Sequence, residues 1–157
     1  MSLDRASVRA AAPRDAPALA EIRFRFRSEL TAPAEPEDGF HARCAAWMAE
    51  RLAGDPRWRC WVADGPAGIV GTLWLQVIDK IPNPVEEPEH HAYITNVYVL
   101  PELRNAGVGA LLLEAALAWC RQESIDAVLL WPSERSRSFY ARYGFGARDD
   151  LFALRPV

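Results

Sequence analysis

Six residues, Arg104-Asn105-Ala106-Gly107-Val108-Gly109, carry the strongest chemical signal in this chain. Before them lies a stretch rich in β-branched and aromatic residues, 93–100, which suits a strand. Pro101 stops it, because proline has no N–H to give a ladder. After them comes an apolar run of helical period. Two glycines let the backbone curl tightly and keep Cβ atoms out of a ligand's way. The first amides of a helix lack internal partners and point out of its N-terminus, at the positive end of the helix dipole. Such a terminus binds anions, and Arg104 adds a permanent positive charge. A phosphate or pyrophosphate is the expected guest.

Two other phosphate loops fit less well. A Walker A loop needs a lysine and a hydroxyl after its last glycine, and here Ala110 and Leu111 follow Gly109. A dinucleotide fingerprint needs a third glycine where this chain has Leu112. It also needs an acidic residue ending the next strand, whereas Asp126 precedes that strand. A plain strand–helix turn, with glycines for close packing only, is the remaining alternative.

The R-x-x-G-x-G run between strand and helix resembles the acetyl-CoA pyrophosphate loop of the GNAT superfamily of N-acetyltransferases. Its lead-in, Val97-Tyr98-Val99-Leu100-Pro101-Glu102-Leu103-Arg104, is similar to the family's V-x-P-x-x-R approach. Downstream, Ser138-Phe139-Tyr140-Ala141-Arg142-Tyr143-Gly144-Phe145 resembles its xxYxxxGF ending. Together these matches span residues 93–146.

The resemblance implies a set of roles. The loop, from Arg104 and Asn105 through the amides of Ala106, Gly107, Val108, Gly109 and Ala110, would hold the CoA pyrophosphate. The strand around Tyr98 would bond the pantetheine arm through the backbone of Val97 and Val99. Ser133 stands where many members have an asparagine, and would contact CoA; an N-cap role explains it equally well. Transfer from a thioester to an amine needs a neutral amine, a donor for the oxyanion and a proton for the departing thiolate. Tyr140 falls at the family position for that acid, and a phenol keeps its proton at neutral pH. A packed aromatic with its hydroxyl tied to a carbonyl is the alternative. Many relatives place a glutamate where this chain has Asn96, which cannot take a proton. Asn96 would instead orient a water or bind substrate. His90, His91, Glu87 and Glu89 are expected in the preceding loop, which could fold toward the site.

Positioning these residues takes the whole chain. Residues 6–11 read as a short strand centred on Val8. Pro13-Arg14-Asp15 reads as a turn with Asp15 as N-cap, and Leu19, Ile22, Phe26 and Leu30 mark the buried face of a first helix. Arg23, Arg25 and Arg27 read as a solvated face. The proline-rich acidic stretch 31–39 is a loop, and a second helix spans about 40–52. Strands follow at 58–63 and 69–78, joined by a hairpin turn at 64–68. Residues 82–91 form a loop before the strand at 93–100. The helix 108–123 has an apolar stripe of Val108, Leu111, Leu112, Ala115, Trp119 and Cys120. A short strand at 127–131 precedes a helix from the Ser133 cap to Arg142, stopped by Gly144, and residues 145–154 supply a final strand. The fold class is α/β (α+β). The resemblance implies a mixed, largely antiparallel sheet of six to seven strands flanked by about four helices.

At 157 residues the chain is read as one domain, residues 1–157. Its net charge of −3 disfavours broad nucleic-acid binding. Cys44, Cys60 and Cys120 are widely spaced and odd in number, which suits buried thiols in a reducing compartment rather than disulfides or a metal site. Asp4 and Arg5 exclude an apolar leader at the N-terminus, and no run is long enough to span a bilayer. The expectation is a cytoplasmic enzyme with no metal, no membrane and no nucleic-acid partner. It would use acetyl-CoA to acetylate a primary amine of a small molecule or an exposed amino group. Dimers are common among similar proteins, so a homodimer is allowed for. The alternative is a non-catalytic acyl-CoA-binding domain of the same fold, which Asn96 in the glutamate position motivates.

Overall fold

The middle strands are apolar on both sides, and the sheet they form is covered on both faces. The computed structural model describes residues 6–156; Asp4 and Arg5 lie outside them. The strands are β1 (Ser7–Ala10), β2 (Trp58–Gly65), β3 (Gly68–Asp79), β4 (His90–Val99) and β5 (Ala127–Leu129). They lie in sequence order, antiparallel throughout except that β4 and β5 run parallel. Four helices flank them: α1 (Ala16–Ser28), α2 (Glu37–Leu52), α3 (Val108–Gln122) and α4 (Arg137–Ala141). None is long and apolar enough to cross a membrane.

Successive strand residues point to opposite faces, so two cores form. Trp61, Ala63, Leu73, Leu75, Ala92 and Ile94 meet Leu112, Leu113 and Ala116 of α3. Cys60, Val62 and Trp74 meet Leu19 and Ala20 of α1 and Met48 of α2. Trp74 packs there against Trp47 and Trp58, with ring centroids 5.9 and 6.1 Å away.

Several boundaries differ from expectation, each for a local reason. The sheet has five strands, not six or seven. Residues 145–156 form no strand, and Leu151, Phe152 and Leu154 are exposed. The neighbouring β5 is only three residues long and Pro132 follows closely, so the edge offers a partner few ladder bonds. The second helix starts at Glu37, because Glu37 and Asp38 in its first turn favour the helix dipole. Leu30 lies beyond the end of α1 and is exposed. In α3 the buried stripe runs through Leu113 and Ala116, leaving Leu111 outside. Asp15 is the N-cap residue of α1 as expected, but its side chain bonds no helix amide. Its carboxylate accepts from the Ala12 amide and from Arg9, which holds it below the usual carboxylate range. His90 and His91 belong to β4 rather than to a loop.

Burial gives this fold a definite alkaline limit. Burial pushes Cys60, Tyr98 and Tyr140 each up to about 12 and Cys120 to about 11. Their neutral forms are the ones the fold favours. That stability is intact below the unfolded values of about 8.5 for thiols and 10 for phenols, and is lost as pH rises through the folded ones. The melting temperature is expected to hold from about pH 7 to 8 and to fall steadily above about pH 9. Calorimetry across that range checks it; a level melting temperature up to pH 11 would contradict the burial.

Candidate active site

The phosphate-loop residues form the turn between β4 and α3. A 3-10 turn, Pro101–Leu103, leads into it. Asn105 and Gly107 take left-handed backbone conformations, with φ of 63° and 87°. Gly107 is the N-cap of α3, and no side chain caps this helix end. Within the helix the ladder begins with the Leu111 amide bonding to the Gly107 carbonyl. Among the described residues, the amides of 105–110 donate to no protein acceptor. A run of free amides with left-handed residues interspersed is an anion-binding concavity. A Cβ at Gly107 would meet nothing within 4 Å, so open space lies in front of the turn. One at Gly109 would stand 3.7 Å from Phe139 and 3.9 Å from Val99. The loop, the end of β4 and α4 therefore converge at Gly109.

The β4 strand is open along one edge. It pairs with β5 only at His91, Ala92 and Tyr93. Beyond Tyr93 the two strands separate, and, among the described residues, 94–99 have no strand partner on that side. Toward β3 the register slips, so that Asn96 and Val97 together oppose Leu73. This is a β-bulge with Asn96 left-handed at φ 52°. It flips the alternation, so Tyr98 turns toward α1, and Val97 and Val99 pack with the α3 core. The Leu100 amide bonds to the Val70 carbonyl. Antiparallel bonding alternates, so Tyr98 bonds across to Thr72 while Val97 and Val99 aim their peptide groups at the open edge.

Other expected residues are placed as follows. Arg104 is already engaged. Its Nε donates to the Val99 carbonyl at 3.0 Å and its Nη2 pairs with Glu29 at 3.0 Å. It also lies over the Tyr98 ring. The Tyr98 hydroxyl donates to the same Glu29 carboxylate, which these partners hold below its ordinary value. Glu29 thus ties the end of α1 to the loop. Sequence reasoning missed it, because a glutamate ending a helix carries no local signal of a partner 75 residues away.

Ser133 stands at an N-cap position, but its side chain caps no helix amide. A 3-10 turn, Glu134–Ser136, follows it, and its hydroxyl donates to Ser136 Oγ at 3.0 Å. Tyr140 sits on the short α4 with its ring buried against Phe139 and Phe145, at 5.0 and 5.7 Å. Its hydroxyl has no hydrogen-bond partner among the described residues, so it is not tied to a carbonyl. Burial keeps the phenol protonated, pushed up to about 12.

Asn96 Oδ1 accepts from Arg23 Nη1 at 3.0 Å. Arg25 and Arg27 are exposed as expected, but Arg23 turns inward. Its spacing from Leu19 and Phe26, four and three residues, was the available sign of that. The histidines lie elsewhere. Five residues of strand, roughly 16 Å, separate His91 from Asn96. His90 is 3.3 Å from Asp79, and Glu87 is held by Asn83 and Lys80. Among the described residues no three His, Cys, Asp or Glu side chains cluster as metal ligands would.

Solved structures share this fold. A predicted acetyltransferase from Clostridium acetobutylicum, solved with acetyl-CoA, is 24% identical over 96% of each chain, with a TM-score of 0.79. A GCN5-related N-acetyltransferase from Ralstonia eutropha is 23% identical, covering 98% of this chain and 99% of that one, at 0.74. Glucosamine-6-phosphate N-acetyltransferase from Arabidopsis thaliana is 17% identical, covering 97% and 99%, at 0.70. No curated protein matches by sequence. Acetyl-CoA carries a pyrophosphate and an arm of amide groups, which suit free amides beside an open strand edge. Residues 18–145 match the Acetyltransferase (GNAT) family, and the chain therefore belongs to that family of enzymes, whose cosubstrate is acetyl-CoA.

Proposed function

We propose that this enzyme moves an acetyl group directly from acetyl-CoA to a primary amine of a small molecule or an exposed amino group. The observation that carries the reading is the run of free amides at 105–110, set where β4 and β5 separate. The amides of Ala106, Gly107, Val108, Gly109 and Ala110 take the pyrophosphate. Arg104 and Asn105 hold the loop in shape, and the peptide groups of Val97 and Val99 take the pantetheine arm. Tyr98 braces the strand from behind, and Ser133, ahead of α4, contacts the cofactor. When bound, acetyl-CoA supplies an acetyl group activated as a thioester.

Tyr140 holds the proton that the departing sulfur needs, and its free hydroxyl suits that role. Asn96 positions the amine or a water. It removes no proton, so the amine must arrive neutral, and the proton its nitrogen sheds as the amide forms replaces the one Tyr140 gives to the sulfur. Direct transfer is supported by the state of the thiols: burial pushes Cys44, Cys60 and Cys120 up, which leaves no thiolate nucleophile among them. The reading takes residues 1–157 as one cytoplasmic domain whose partner is a small-molecule amine, not nucleic acid or membrane. It is compatible with a homodimer.

Isothermal titration with acetyl-CoA, with ATP and NAD as controls, tests the loop. A screen of primary amines for acceptor-dependent CoA release tests the transfer. Binding of acetyl-CoA alone, followed by release with one class of amine, is the expected result. Equal binding of ATP and NAD would overturn the loop's role, and binding without release on any amine would overturn the transfer.

A further inference from the structure

Partly buried arginines in this protein have their charge or their donors met. Arg9 pairs with Asp15 and Asp64, Arg51 with Glu50 and Asp55, and Arg104 with Glu29. Arg59 donates to the carbonyls of Asp55, Pro56 and Trp58. Arg23 is the exception among the described residues. Its one hydrogen bond goes to the neutral amide oxygen of Asn96. A guanidinium has five N–H donors, so most of this one is unmet.

Its surroundings add no negative charge. It lies 5.8 Å from the ring centre of Phe26. The ionisable groups acting on it are the like-charged Arg27, the Cys44 thiol and the Tyr93 phenol, and no carboxylate is among them. Burial, and then Arg27, pull the guanidinium below its ordinary value. A desolvated cation without a carboxylate is costly, and an arriving anion offsets that cost. The place is specific. Arg23 touches the bulge residue Asn96, on the strand whose open edge faces the proposed acetyl donor.

We propose that the acceptor amine carries a carboxylate and that Arg23 is the residue that selects it. This rests on the acyltransferase reading above. The planar guanidinium fork matches a carboxylate in two parallel hydrogen bonds. One inward-facing cation, with no carboxylate near it and only the exposed Arg27 beyond, balances a single negative charge. A phosphate monoester would bring close to two, with only the exposed Arg27 beyond it to share them. The amine of the same molecule would be held near Asn96, a short chain away from its carboxylate.

The test uses matched pairs: amino acids and their primary amides, with phosphoethanolamine as the phosphate arm. Acetylation is followed as CoA release for the wild-type protein, Arg23→Gln and Arg23→Lys. Wild type is expected to favour acids over amides at least tenfold in kcat/KM, with the difference in KM rather than kcat. Arg23→Gln is expected to bring that ratio close to one, and Arg23→Lys to restore part of it. Equal use of acids and amides by wild type would overturn the inference while leaving the transferase reading in place. So would a preference that survives Arg23→Gln, or a preference for phosphoethanolamine. Should no amine be acetylated, the transferase reading falls. Calorimetry of the amino acids on CoA-loaded protein then decides: binding abolished by Arg23→Gln supports the anion site, and absent or unaltered binding overturns it.

Discussion

Gly107→Trp is expected to weaken acetyl-CoA binding by about a hundredfold or more, close to 2.7 kcal/mol, in a protein that still folds. Gly107 has φ 87° and no atom within 4 Å of where its Cβ would stand. A side chain there meets no wall. Folding bears only the strain of a left-handed residue, about 1–2 kcal/mol. The indole would project into the space before the free amides of 105–110 and exclude a pyrophosphate. Gly107→Ala carries the strain with little of the bulk, so it should lose far less affinity. Gly54→Ala is a second control, since Gly54 has φ 134° and is also open, at the far end of α2. Isothermal titration on the three variants separates strain from occlusion. Undiminished binding by the tryptophan variant would sink the loop assignment.

Tyr140→Phe is expected to lower kcat by about 10²–10⁴, the usual reach of one positioned acid, with little change in the KM for acetyl-CoA. The ring stays packed on Phe139 and Phe145. The lost hydroxyl had no partner among the described residues, so its removal strands no buried group and the fold should survive. The pH dependence sharpens the test. With Tyr140 pushed up to about 12, the phenol stays protonated through the working range. The wild-type rate should rise with pH as the acceptor amine loses its proton, and should not fall again below about pH 10. The phenylalanine variant should show the same rise to a lower plateau. A wild-type rate for the variant, with the same pH profile, would remove Tyr140 from the chemistry.

Each prediction rests on a different kind of legibility. The loop at 104–109, the helix α3 and most of β4 could be read from the sequence. Their signals are local: a proline that cannot extend a ladder, glycines that admit left-handed backbone, and an apolar stripe of helical period. Other features depended on partners distant in sequence. The final strand expected at 145–154 needs an edge to pair with, and β5 is too short to give one. The histidines read as loop because three prolines and three glutamates precede them, yet pairing with β3 draws them into β4.

The site divides the same way. The sequence by itself determined that a helix N-terminus with free amides would follow a strand, since that needs only neighbours along the chain. The tertiary structure decided the rest. The bulge at Asn96 turns Tyr98 to one face and the peptide groups of Val97 and Val99 to the open edge, because β3 opposes two residues with one. Glu29 takes Arg104 and Tyr98 because the end of α1 comes to rest beside the loop. The packing of α1 on the sheet turns Arg23 inward and leaves Arg25 and Arg27 in water. The spacing of Arg23 from Leu19 and Phe26 hints at that face, but how far it is desolvated depends on how the helix lies across its neighbours.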